Sequence, residues 1–161
     1  MARRTKEKRS SRAEAKAKDP REVVHKRAYW FDRARSLSEL HGWPRAEPGD
    51  GRGLVGRYVT AAERPIGQLG CAELHTLLTQ GTDPHFLVPV ALERLGGGLG
   101  IDERALLGDL LRLPRDFWRT HPFLRQALRE LATRSSRTLR EGEGDDDPLR
   151  LAIARFIDRG R

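Results

Sequence analysis

Three times along the chain an aspartate stands directly before a proline, at Asp19-Pro20, Asp83-Pro84 and Asp147-Pro148, and an apolar pattern follows each time. The pairing has the chemistry of a helix start. The Asp side chain accepts free backbone N–H groups of the first turn, and proline at the first helical position has no N–H to leave unpaired. Between these starts further prolines and glycines break the chain before any helix can grow long. A chain punctuated this way is expected to be all-α, a compact helical domain of about six short helices.

After Asp19-Pro20, with Glu22 in the first turn, the spacing predicts a helix of about four turns carrying Val23, Val24, Trp30, Phe31, Ala34 and Leu37. The Tyr29-Trp30-Phe31 cluster is read as facing core, with stacking on unpaired bases as the alternative. Trp43-Pro44 and Glu47-Pro48-Gly49-Asp50-Gly51 mark a loop. Leu54, Val55, Tyr58 and Val59 then suit a short helix that Arg64-Pro65 ends. Residues 69–80 place Leu74, Leu77 and Leu78 on one face, and the segment from Pro84 to Leu95 does the same for Phe86, Leu87, Val90, Ala91 and Leu95. Pro89 inside that segment should kink it. Leu106, Leu107, Leu110, Leu111 and Leu113 predict a further short helix. Pro114 restarts the chain ahead of Phe117-Trp118, and His121-Pro122 opens a helix with Phe123, Leu124, Leu128 and Leu131.

By this reading residues 19–132 are the helical domain and residues 133–147 a polar linker ending in an acidic run. Residues 148–161 form a C-terminal amphipathic helix. Its stripe of Leu149, Ala152, Ile153, Phe156 and Ile157 either docks back on the domain or binds a partner.

The chain of 161 residues has a formal charge of +8, which would suit a nucleic-acid partner if it were spread over the fold. It is not. Residues 1–35 hold 13 basic and 5 acidic side chains, residues 36–132 hold 11 and 12, and residues 133–161 hold 7 and 6. The excess belongs to the N-terminal stretch, of which residues 1–18 offer nothing larger than alanine after Met1 to bury and read as a disordered basic arm. Non-specific nucleic-acid contact is therefore expected of residues 1–35 only. No apolar run approaches the roughly 18 residues of a membrane span, and the basic start has no apolar stretch behind it. The expected location is cytoplasmic, with no membrane partner.

Catalytic and metal chemistry find little support. Cys71 and His75 are one helical turn apart, but no orienting residue stands at a recognisable spacing, and a lone Cys on an apolar helix usually packs as a small hydrophobe. His25, His41, His85 and His121 stand singly, so no metal site and no cofactor are expected. Asp145-Asp146-Asp147 lacks the alternation of a calcium loop and suits a helix N-terminus. Gly96-Gly97-Gly98-Leu99-Gly100 follows a helix, unlike a phosphate loop, which follows a strand. Residues 69–95 have a helix-turn-helix outline, yet the second helix begins Pro84-His85-Phe86-Leu87-Val88-Pro89, which offers no side chains for base edges.

A set of motifs remains. Ser36-Leu37-Ser38-Glu39-Leu40 with Trp43 is followed by Leu77-Leu78-Thr79-Gln80-Gly81. Next comes Phe86-Leu87-Val88-Pro89-Val90-Ala91-Leu92-Glu93-Arg94-Leu95, and then Leu111-Arg112-Leu113-Pro114-Arg115-Asp116-Phe117-Trp118 with His121-Pro122. In order and spacing, over about residues 36–131, this resembles the immunity proteins of bacterial contact-dependent growth inhibition systems. The Leu-Val-Pro-x-Ala-Leu and Leu-Pro-x-x-Phe-Trp elements are the specific ones. Gly108-Asp109-Leu110-Leu111 carries the letters of the family's Gly-Asp-Leu-Leu element but stands closer to Pro114.

The resemblance implies a non-enzymatic, cytoplasmic helical protein that binds and neutralises the toxic C-terminal domain of a cognate effector. Trp43, Gln80, Leu87, Pro89, Leu92, Pro114, Phe117 and Trp118 are then motif or core residues. Asp102, Glu103, Asp109 and Asp116 are the candidate partner contacts, on the expectation that acids meet a basic toxin surface. The alternatives are a nucleic-acid-binding protein acting through residues 1–35 and a structural or interaction module without a toxin partner.

Overall fold

The computed structural model describes residues 31–44, 53–142 and 147–158. The arm 1–18, the helix expected after Asp19-Pro20 and the loop 45–52 therefore lie largely or wholly outside the described residues. Among those described, the fold is all-α. Eight α-helices follow one another: α1 Leu37–His41, α2 Gly53–Glu63, α3 Cys71–Thr79, α4 Pro84–Arg94, α5 Ile101–Arg112, α6 Arg115–Thr120, α7 Pro122–Gly142 and α8 Pro148–Asp158. Short 3-10 turns at Ile66–Gln68 and Leu95–Gly97 complete the order.

The stop and start chemistry accounts for most boundaries. Asp83 Oδ1 accepts from the His85 N–H at 3.1 Å ahead of α4, and Asp147 Oδ1 accepts from the Leu149 N–H at 3.0 Å ahead of α8. The Asp147 carboxylate also meets Arg104 of α5 at 2.9 Å, so one side chain both caps α8 and ties it to the domain. Ser36 and Glu39 form a reciprocal capping box on α1. That cap overturns the expectation of one helix running through Ala34 to Leu37. Asp32 Oδ1 takes the Ala34 N–H at 3.0 Å, the chain turns, and helix restarts at Leu37.

The stretch after α2 pairs back against this turn. The Ile66 and Gly67 N–H groups donate to the carbonyls of Arg35 and Arg33, both at 3.0 Å. A Cβ at Gly67 would stand 3.1 Å from Arg33 Cβ and 3.2 Å from the Arg33 carbonyl oxygen, so only glycine fits without displacement.

Helix α3 is central, packed most extensively against α5 and α2 and also against α4. Leu74 and Leu77 of α3, Leu87 of α4, Leu106, Leu107 and Leu110 of α5, Leu128 of α7 and Ile153 of α8 are fully buried. Each such side chain contributes about 1.5–3 kcal/mol through removal of apolar surface from water.

Several expectations are corrected. Residues 133–142 are no linker: α7 continues through them, and Leu139 is buried on the same face as Leu128, Leu131 and Ala132. Polar letters such as Ser135 disguised that stripe, yet Ser135 is itself buried. The final helix docks back on the domain, where α8 packs against α7 and α5. In α2 the buried face is Ala61 and Ala62 with part of Tyr58, while Leu54 and Val55 are exposed, Val55 at 76%. Helix α4 runs on through Pro89, whose ring is buried in the core face. No helix among the described residues is long and apolar enough to cross a membrane.

Candidate functional site

The four acids expected to meet a partner do not form one patch. Asp102 and Glu103 lie in the first turn of α5, and Asp116 lies in α6, beyond the far end of that helix. Twelve residues of α-helix put about 18 Å between those ends. Asp109 lies between them and is buried, with 8% of its surface exposed. It is withdrawn from any partner because its carboxylate is already engaged: Oδ2 lies 2.5 Å from Nδ1 of His75 on α3, and Oδ1 lies 3.6 Å from the Arg112 guanidinium.

His75 is thus oriented by a residue 34 positions away, a partner no local spacing reveals. Its ring borders an open cleft of about 440 Å³ with Arg57, Thr60, Glu73, Thr76 and Asp102. The Cys71 thiol does not complete a nucleophilic arrangement with it. Burial, and then the neighbouring Glu103 carboxylate, which also accepts its hydrogen bond, push the thiol above its ordinary range. A thiol so placed stays protonated at neutral pH and is a poor nucleophile. Among the described residues no group of three or more His, Cys, Asp or Glu side chains is arranged to hold a metal ion.

The motif residues separate by depth. Leu87, Pro89 and Trp118 are buried, Leu92 and Phe117 half-buried, and Gln80 and Pro114 exposed. Trp43, read among the motif and core residues, is 40% exposed. Its indole stacks on the His41 imidazole at 4.8 Å just past the end of α1.

That stack is one end of a connected band of rings. His41 meets Phe86 of α4 edge-on at 6.0 Å, and Phe86 also receives Phe31 at 5.3 Å. His85 packs against Phe86 and approaches His121, whose ring stacks on Phe117 at 4.3 Å. Phe117 meets Trp118 at 5.0 Å, and Trp118 meets Phe156 of α8 at 5.7 Å. The band crosses α1, α4, the α6–α7 junction and α8. Its His41, Trp43 and His85 members are exposed, and Phe86, Phe117 and His121 are half-buried. Edge-to-face and offset contacts of this kind are each worth about 0.5–1.5 kcal/mol beyond area burial and hold the rings in fixed orientations.

Beyond the α6 end of the band, Trp118 and Phe156 border an open cleft of about 480 Å³ together with Arg115, Asp116, Arg119 and Arg125. At the other end Arg33 lies 5.8 Å over the Phe31 ring and makes two 2.7 Å hydrogen bonds to Glu93 of α4. That bidentate pair raises the guanidinium's pKa and fastens the turn at residues 32–35 to α4. Sequence reasoning singled out Trp43, Phe117 and Trp118 but missed their connection through His41, Phe86, His85 and His121. Compared with known proteins, the chain matches no family model, no curated protein and no solved structure.

Proposed function

We propose that the protein is an immunity-type binding protein that captures and neutralises the toxic C-terminal domain of a contact-dependent growth inhibition effector. The ring band is its docking surface. One observation carries this reading: the residues of the resembling motifs, Trp43 just past α1, Phe86 in α4, Phe117 and Trp118 in α6 and His121 at the α6–α7 junction, meet in a single band, part of which is open to solvent. Aromatic side chains held in place by neighbours bury large area at little entropic cost, and they dominate the centres of protein interfaces. Neutralisation by occlusion requires no catalysis and agrees with a protonated Cys71. It places the protein in the cytoplasm of the cell it protects.

Asp116, beside Phe117 in α6, adjoins the band and supplies a charged rim. Asp102 and Glu103 contribute less, since they sit at the other end of α5. The test is co-expression with the toxin domain of a cognate contact-dependent growth inhibition effector, scored for survival. Protection by the intact protein that is lost in a Trp43→Ala/Phe117→Ala variant of normal helicity supports the reading. Growth arrest by an active toxin despite soluble intact protein rejects it.

The localisation of the excess charge favours a second reading, in which residues 1–35 bind nucleic acid. Steeply salt-dependent binding that disappears when those residues are deleted, while protection persists, would assign the two properties to separate parts of the chain.

A further inference from the structure

Within the band, Nδ1 of His85 lies 3.2 Å from Nε2 of His121. The two histidines are 36 residues apart, one in the first turn of α4 and the other at the junction of α6 and α7, so no sequence spacing announces the pair. His121 Nδ1 lies 2.8 Å from the Phe117 carbonyl oxygen and 2.9 Å from the Thr120 hydroxyl. A carbonyl only accepts, so the proton of the neutral ring is on Nδ1 and the Nε2 lone pair is directed toward His85. Anchoring one ring nitrogen on a backbone carbonyl while the other presents its lone pair is the arrangement that fixes a metal-ligating imidazole.

We infer that His85 and His121 form an open two-histidine site for a borderline divalent cation of the zinc class. With Zn–N bonds of about 2.0–2.1 Å, two imidazole nitrogens on a tetrahedral ion stand about 3.3 Å apart, close to the spacing the fold sets. The rings are tilted by 58° with centroids 5.4 Å apart, His121 is held by its stack on Phe117, and His85 by its edge contact with Phe86. In the metal-free protein the His85 Nδ1–H donates to His121 Nε2. Entry of the cation replaces that hydrogen bond: the His85 proton moves to its own Nε2, both lone pairs turn onto the ion, and water fills the remaining positions. No net proton is released when both rings start neutral. The bound ion links the start of α4 to the α6–α7 junction within the docking band.

The experiment is calorimetric titration of untagged protein with Zn²⁺ alone, alongside His85→Gln, His121→Gln and a Cys71→Ser/His75→Gln control, each checked for native helicity by circular dichroism. One ion is expected per chain, with affinity falling at least tenfold in either single histidine variant and unchanged in the control. Cu²⁺ should bind the same site more tightly, following the usual order of affinities. Its electron paramagnetic resonance spectrum on the intact protein should show coupling to two nitrogens, a readout that does not depend on any variant folding. Absence of Zn²⁺ binding, binding that survives both histidine substitutions, binding lost in the Cys71→Ser/His75→Gln control, or a Cu²⁺ spectrum without two nitrogen ligands would each overturn the assignment.

Discussion

The buried carboxylate of Asp109 on α5 lies 2.5 Å from Nδ1 of the partly exposed His75 on α3, joining the two helices that pack most extensively in this fold. An acid nominated for partner recognition is instead an internal tie.

Removing one member of that tie should do more harm than removing both. His75→Ala leaves a desolvated carboxylate without its strongest donor and should cost about 1–3 kcal/mol. A His75→Ala/Asp109→Leu double variant should recover part of this, because no buried charge remains. Urea denaturation of the two single variants and the double variant, analysed as a cycle, measures the coupling. Additive losses would mean that the contact has no energetic role.

The long reach of α7 makes a second prediction. If residues 133–142 belonged to a linker, Leu139 would be indifferent to substitution, but it is 5% exposed and extends the Leu128, Leu131 and Ala132 face. Leu139→Ala should destabilise the protein by about 2–4 kcal/mol, as buried leucines do. Leu151→Ala on the exposed side of α8 should stay within about 0.5 kcal/mol. Equal midpoints in thermal or urea unfolding would place residues 133–142 outside the cooperative unit.

The thiol offers a third test with a defined sign. Burial and the Glu103 carboxylate both disfavour the Cys71 thiolate, so its pKa is raised and the thiolate fraction near neutral pH is smaller than that of an ordinary cysteine. The pH midpoint of its alkylation rate by iodoacetamide should therefore lie above that of a free thiol. Glu103→Gln removes the charge but leaves the burial, and should move the midpoint part of the way down. A midpoint below the free-thiol value would indicate an activated nucleophile.

How much of this was legible in the sequence follows from the range of each interaction. Caps act over a few residues, so Asp83-Pro84 and Asp147-Pro148 marked α4 and α8 correctly, and the apolar stripes named Leu74, Leu77, Leu87, Leu128 and Ile153 as core. The turn at residues 32–36 was missed because Phe31, Ala34 and Leu37 keep helical spacing while Ser36 and Glu39 together close a cap between them. Residues 133–142 were missed because Ser135 and its polar neighbours diluted a stripe that a single Leu139 continues. The site was the least legible part. His75 with Asp109, and His85 with His121, are paired across 34 and 36 residues by tertiary packing, which leaves no periodic trace.

The central claim is that the ring band docks the toxin, and its most direct measurement is the affinity of the cognate toxin domain for Trp43→Ala and Phe117→Ala, beside Asp102→Asn/Glu103→Gln. Each ring variant should weaken binding by about 2 kcal/mol, roughly thirtyfold, as truncation of an aromatic anchor does. The acid variant at the other end of α5 should bind within about threefold of the intact protein, the effect expected of a charge outside the core of an interface. Ring variants that bind as tightly as the intact protein, with the acid variant losing affinity instead, would contradict the account and return the interface to the start of α5.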